Sequence, residues 1–243
     1  MALTLAGCTP SKPQEPIKKE DLYRVTNRWI PNDSVDLMSP EGTFLRAAAE
    51  SWNLIFTTWK NGVQAIRERG YPGLEGAFNN NYNDFSFGGV AITKLVVGTQ
   101  YYEVVNFQRV GNQFVADVCH YSSQIGSQTD DGNFTSGGRI DQSSGANSFV
   151  FGPNPNLTPE QQRAPLSHQR GPANRPTDNV FGTWVLTEIG VRKGMDDAAF
   201  RSLIARCRRP APGTLGNPPN PHIGTEPPPM LPPDPGWPDA GSA

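Results

Sequence analysis

The chain is poor in cysteine and in histidine, with three of each in 243 residues, and it has no surplus of either charge: 21 Lys+Arg stand against 23 Asp+Glu, a net charge of −2. That balance gives no bulk attraction toward nucleic acid or an anionic membrane face. Basic patches with interleaved aromatics are also missing, so no nucleic-acid partner is expected. No run approaches the roughly 20 apolar residues a bilayer-spanning helix needs. The histidines (His120, His168, His222) and the scattered cysteines lack metal-ligand spacing, which argues against zinc. Asp130-Asp131-Gly132-Asn133 clusters oxygens but lacks the spaced acidic ligands of a calcium loop, and Asp-Gly reads first as a turn. Gly-x-Ser-x-Gly, a phosphate-binding glycine loop with lysine and His-Glu-x-x-His are all absent. No cofactor and no metal are therefore expected. What the chain does have is 25 glycines and 24 prolines, too many for regular structure throughout.

The clearest periodicity follows Ser39-Pro40-Glu41, a helix start with an N-cap serine, proline at the first position and an acid in the first turn. Leu45, Ala48, Trp52, Ile55, Trp59, Val63 and Ile66 then recur three and four apart, predicting one helix of about 28 residues that ends at Gly70 and Pro72. Arg46, Glu50, Asn53, Lys60, Gln64 and Arg67 fall on the opposite, solvent-facing side. A short helical turn is predicted near Leu74–Phe78. Residues 90–125 read as β-structure: Val90–Val97, then Tyr101–Val110, a Gly111-Asn112 hairpin turn, and Gln113–Ser123. Alternation puts Phe114, Ala116, Val118 and His120 on one face, and Val115, Asp117, Cys119 and Tyr121 on the other.

Residues 126–178 carry little apolar content and read as a long, partly disordered surface insertion. Within it, Ser148–Phe151 is a candidate short strand and Thr158-Pro159-Glu160-Gln161 a candidate helical turn. Val180–Val191 is the last strand, expected beside the hairpin. Asp196-Asp197 opens a terminal helix with Phe200, Leu203, Ile204 and Cys207 inward and arginines at its C-terminal end. Residues 210–243 hold half of the prolines and no Lys or Arg. They predict an extended, disordered tail.

At the N-terminus, Leu5-Ala6-Gly7-Cys8 resembles a bacterial lipobox, and a polar Ser-Lys-Pro-Gln-Glu-Pro tether comes after it. The resemblance implies lipidation of Cys8, export, and anchoring to the outer face of the cytoplasmic membrane, with acyl chains contributing about 0.8 kcal/mol per buried methylene. Only seven residues precede Cys8, short of an export signal, so further signal sequence is expected upstream. Residues 1–8 are then a signal remnant and 9–38 a polar tether, part of which (Leu22, Tyr23, Trp29, Ile30) docks on the domain. With Cys8 used by lipid, Cys119 and Cys207 remain as a candidate disulfide that would staple the last helix to the sheet; two buried free thiols are the alternative.

The expected fold is therefore α+β: one domain over residues 39–209, a long N-terminal helix packed on a curved antiparallel sheet, with a terminal helix. The order of a long helix, a helical turn and then an antiparallel meander, over roughly residues 40–192, resembles the nuclear-transport-factor-2-like (cystatin-like) cone. Lipobox, near-neutral charge, one disulfide and a proline-rich tail together resemble uncharacterised lipoproteins of actinobacteria and their phages. Such a cone implies a pocket, for which Trp52, Trp59, Tyr82, Asp117, His120, Tyr121 and Trp184 are the candidate residues. Asp117 and His120 lie three apart on a strand and so face opposite ways, which weakens an acid–base dyad. Two readings result. One is a non-catalytic, membrane-anchored envelope lipoprotein that binds a protein partner or a lipid-like ligand, as a transport or secretion accessory or a phage exclusion factor. The other is a small-molecule isomerase or cyclase on the same fold.

Overall fold

In a computed structural model of the chain, residues 22–78, 92–136, 144–190, 195–209 and 223–239 are described. They form an α+β fold. A mixed sheet runs in the order β1-β2-β3-β4-β7, with β5 on β3 and β6 on β5. The strands are β1 (Tyr23–Trp29), β2 (Val96–Val110), β3 (Gln113–Gln128), β4 (Phe134–Ser136), β5 (Ser144–Gly152), β6 (Val185–Gly190) and β7 (Ile223–Gly224). The β2–β3 hairpin turns at Gly111-Asn112, as predicted, and is the longest ladder, although β2 is one continuous strand rather than two. All pairings are antiparallel except β1 on β2. The segment read as a docked tether is thus the parallel edge strand. The proposed Val90 strand start lies partly outside the described residues, and β2 itself begins at Val96.

Helix α1 (Pro40–Ile55) starts where the sequence placed it, with the Ser39 hydroxyl accepting from the Gly42 N–H at 3.1 Å. It does not run for 28 residues. It stops at Phe56, and α2 (Gly62–Arg69) begins after a turn. The break has a local cause: Thr57 and Thr58 are consecutive β-branched residues, the Thr57 hydroxyl bonds back to the Leu54 carbonyl, and the Thr58 hydroxyl accepts from the Lys60 N–H. Such side chains offer the backbone a competitor to the helical ladder. Trp59, placed on the buried stripe by periodicity, is consequently 71% exposed. The turn α3 (Leu74–Ala77) comes next, as predicted.

The region 126–178 is not a mere surface insertion. It contributes β4 and β5, and β5 lies inside the sheet between β3 and β6, with Phe149 and Phe151 in the core. The last strand β6 therefore pairs with β5, not with the hairpin. Thr158 does cap a helical turn at Pro159–Gln161. Helix α4 (Asp197–Cys207) opens on the Asp196 N-cap as read, and Leu203 and Cys207 face inward.

The sheet is covered on both sides. Phe114, Ala116 and Val118 meet Phe44, Leu45 and Ala48 of α1. Cys119 and Tyr121, on the opposite face, meet α4 through Leu203 and Cys207. The Cys119–Cys207 disulfide joins the second pair of layers, with Cα atoms 5.3 Å apart. The alternation expected for β3 holds on both faces, with Tyr121 in the α4 layer as its position requires.

The largest departure is the tail. Residues 210–222 and 240–243 lie outside the described residues, but 223–239 are not disordered. They start as β7 on β4, pass Gly126 and Thr99 of the hairpin at Pro228–Leu231, and then lay residues 232–237 as a strap along the free edge of β1 and over α1. The Asp234 N–H donates to the Asn27 carbonyl (3.1 Å) and the Trp29 N–H to the Asp234 carbonyl (2.7 Å). Ala173 and Trp237 exchange a pair of backbone hydrogen bonds at 3.0 and 2.8 Å. Trp237, 1% exposed, is the largest fully buried side chain among the described residues.

Candidate functional site

Arg46 and Glu50 are one helical turn apart on α1, on the side that amphipathic reasoning gives to solvent. Both are buried, at 0% and 1% exposure. Glu50 Oε1 accepts from the Trp29 indole N–H at 2.7 Å, and Oε2 from the Tyr71 hydroxyl at 2.7 Å and the Trp237 indole N–H at 2.9 Å. Asn27 Nδ2 adds a longer donor at 3.3 Å. A buried carboxylate is tolerated only when such donors replace water. Arg46 lies over the Trp237 ring at 4.3 Å and donates to the carbonyls of Gln169 (2.7 Å), Pro235 and Gly236 (both 2.8 Å). Burial lowers the pKa of Arg46, and Glu50 offsets that. Burial, and then Glu50, hold the Tyr71 hydroxyl far above the ordinary tyrosine range. The clasp thus ties β1, α1, the Tyr71 turn and the strap together through one carboxylate and one guanidinium. The carboxylate oxygens of Glu50 and both terminal nitrogens of Arg46 hold chain segments in place, while the buried Arg46 Nε has no hydrogen-bond partner among the described residues.

Beside the clasp opens a cleft of about 350 Å³. Its apolar wall is Trp29, Pro31, Val35, Leu37 and Met38, and its polar rim is Asn32, Asp36, Arg170 and Asp234. Asp234 is held on the strap by Arg28 at 3.1 Å and Arg170 at 3.2 Å. A second cleft of about 330 Å³, with Pro176, Val180 and Pro238 in its lining, shares Arg170 with the first. Among the described residues, no group of three His, Cys, Asp or Glu side chains is placed to hold a metal. No protein-family model, no curated protein and no solved structure matches this chain.

The pocket residues read from sequence are dispersed. Trp184 is core, stacked on Phe114 at 5.5 Å. Trp52 is half-buried beside Phe56 and Phe78, and Trp59 points to solvent. Tyr82 lies outside the described residues. Asp117, 6% exposed, is on the α4 face, where it accepts from the Ser148 hydroxyl and from Asn106 Nδ2 at 3.0 Å. Tyr121 shares that face and donates to Glu103 at 2.6 Å, which Arg209 also grips at 2.8 and 2.9 Å. His120 lies on the α1 face, in register with Tyr102 and Gly145. Cys119 and Cys207 are brought together, and Cys8 lies outside the described residues. The structural centre that periodicity missed is Arg46, Glu50, Tyr71 and Trp237. The signal available was a single tryptophan in a proline-rich segment, together with a helix carrying Arg and Glu one turn apart.

His120 carries a pH dependence of its own. Its ring packs against Gly145, where any β-carbon would collide with it. Burial lowers its pKa to about 4. The unfolded chain takes up a proton near the ordinary value of about 6.5 that the folded chain refuses until about pH 4. The neutral ring is thus fully tolerated above about pH 6.5, and stability falls as the pH drops from there toward 4. Because the ring is only half-buried, a loss of about 1–2 kcal/mol is expected. Urea unfolding of wild type and His120→Asn between pH 7 and 4 measures it. Parallel pH profiles for the two would refute the assignment.

Proposed function

We propose that the chain is a non-catalytic lipoprotein of the cell envelope. It is anchored through lipid on Cys8 to the outer face of the cytoplasmic membrane, and its α+β domain binds a protein partner or lipid-like ligand. The observation that carries this reading is the Cys119–Cys207 bridge. Disulfides persist in exported proteins and are rare in reducing compartments. The pairing also leaves Cys8, in its Leu-Ala-Gly-Cys setting, as the cysteine outside the bridge. The surface this reading offers a partner is the face around the strap, where a cleft of about 350 Å³ combines an apolar wall with charged Asp36, Arg170 and Asp234. The likeness in element order to a nuclear-transport-factor-2-like cone, and to actinobacterial or phage lipoproteins, belongs to the same proposal. The isomerase or cyclase reading needs an Asp or His base and a Tyr donor at one cleft. Asp117 and Tyr121 share the α4 face but are engaged by Ser148, Asn106 and Glu103, His120 lies on the other face, and none of the three lines either cleft, so no observation favours it.

Intact-mass spectrometry of protein extracted from membranes tests the proposal. The expected species begins at Cys8, carries acyl mass, and gains two hydrogens on reduction. The reduction must be done in denaturant, because both bridged cysteines are fully buried. An unmodified chain that begins at Met1 with three free thiols would overturn it.

A further inference from the structure

The contacts that seat the strap are those of a peptide in a receptor groove. Backbone bonds add residue 234 to the exposed edge of β1, as in recognition by strand addition, and side-chain pockets read the residues on its C-terminal side. Asp234 is gripped by Arg28 and Arg170 from two separate segments. The carbonyls of Pro235 and Gly236 are read by Arg46. Gly236 passes so close to the Gly171 and Ala173 carbonyls that a β-carbon would not fit, so this position admits glycine alone. Trp237 fills a buried pocket with its indole N–H on Glu50 and its ring under Arg46, the form of a central anchor. Across the four consecutive residues Asp-Pro-Gly-Trp, the groove thus reads a charge at Asp234, backbone carbonyls at Pro235 and Gly236, the missing side chain at Gly236 and an indole at Trp237.

We propose that this groove is a peptide-binding site for Asp-Pro-Gly-Trp segments, occupied in this chain by its own residues 229–239 as a separable ligand. The proposal rests on the protein-binding reading and names the chemistry of the partner: a protein displaying an acid-Pro-Gly-Trp segment, which enters by displacing the strap. Tethering places the strap at an effective concentration on the order of millimolar. A peptide supplied in trans therefore competes poorly while the chain is intact and well once the tether is cut.

The test uses the folded full chain with a specific protease site placed between Arg209 and Ile223. After cleavage, the C-terminal fragment is expected to remain bound through gel filtration and to exchange with a fluorescent peptide of residues 226–240. The same peptide should bind the uncut chain at least on the order of 100-fold more weakly. Within the peptide, Trp237→Ala should weaken binding on the order of 100-fold and Asp234→Asn on the order of 10-fold, as expected for an anchor and a charge pair. Three results would overturn the inference. The fragment could leave and the remaining domain unfold, the fragment could stay and never exchange, or wild-type and Trp237→Ala peptides could compete equally. Each of these leaves the mass of the membrane-extracted protein unchanged, so failure here is separable from failure of the lipoprotein reading.

Discussion

Replacing Glu50 with alanine is expected to destabilise the fold by about 3–5 kcal/mol, the range for breaking a buried charged network by deleting one member. The reason lies in what remains after the deletion. The Trp29 and Trp237 indole N–H groups and the Tyr71 hydroxyl all end on this carboxylate, and each buried donor left without a partner costs about 1–3 kcal/mol. Tyr71 keeps one alternative, the Asn174 carbonyl at 3.1 Å; the two indoles have no second acceptor among the described hydrogen bonds. Arg46 would also lose the opposite charge that offsets its burial. Glu50→Gln keeps one acceptor oxygen and turns an amide toward donors, so a smaller loss is expected, about 2 kcal/mol. Urea midpoints for the two variants, with the indole N–H resonances followed by NMR, measure both. An alanine variant within about 1 kcal/mol of wild type would show that water replaces the carboxylate, and that the clasp does not hold the strap.

The elements that could be read from sequence were those with a local signal. Ser39-Pro40-Glu41 fixes the start of α1, Gly111-Asn112 fixes the hairpin, and Asp196 fixes the start of α4. The two-face reading of β3 was legible because strand alternation is strict. It placed Cys119 on the side where α4 brings Cys207. What failed shares one physical cause. A helical wheel assumes a single buried face, whereas α1 is buried all round, between the sheet and a strap that starts some 170 residues later in the chain. Arg46 and Glu50 therefore looked solvated, although the network they serve lies between layers. β1 was hidden for a related reason: in Tyr-Arg-Val-Thr-Asn-Arg-Trp the polar residues are partners, with Asn27 and Arg28 reaching Glu50 and Asp234. β5 was legible only in its second half, Ser148–Phe151, because its first half, Ser-Gly-Ala-Asn, is small and weakly apolar. Small residues are required there, since the His120 ring occupies the space above Gly145. The candidate pocket was illegible because it assumed a cone around one continuous helix, and the Thr57-Thr58 break turned Trp59 outward.

Removing the disulfide should produce the second large effect and a different one. Cys119 and Cys207 are separated by 88 residues. On chain-entropy grounds, a closed loop of that length stabilises by about 4–5 kcal/mol, mostly by restricting the unfolded chain. In the folded state the bridge holds α4 on the sheet, where Leu203 and the partly buried Ile204 and Met195 cover Val105, Tyr121 and Ala146. That cluster is small, and the tie beside it among the described residues is the two-pronged grip of Arg209 on the largely buried Glu103, a partly solvated pair worth about 1 kcal/mol. The Cys119→Ser, Cys207→Ser double variant is therefore expected to lose α4 before it loses the rest. Amide exchange over 197–207 should rise to near the unfolded rate, while α1 and the β2–β3 hairpin stay protected. The urea midpoint should fall by an amount equivalent to about 4 kcal/mol. Because both sulfurs are inaccessible, reductant added to the native wild type should leave the bridge intact for as long as the protein stays folded. Rapid reduction without denaturant, or a double variant with unchanged exchange in α4, would show that the helix is held by something other than this bond. The Glu50 and cysteine effects should add within about 0.5 kcal/mol. They act on opposite faces of one sheet, and the residues they involve belong to separate clusters.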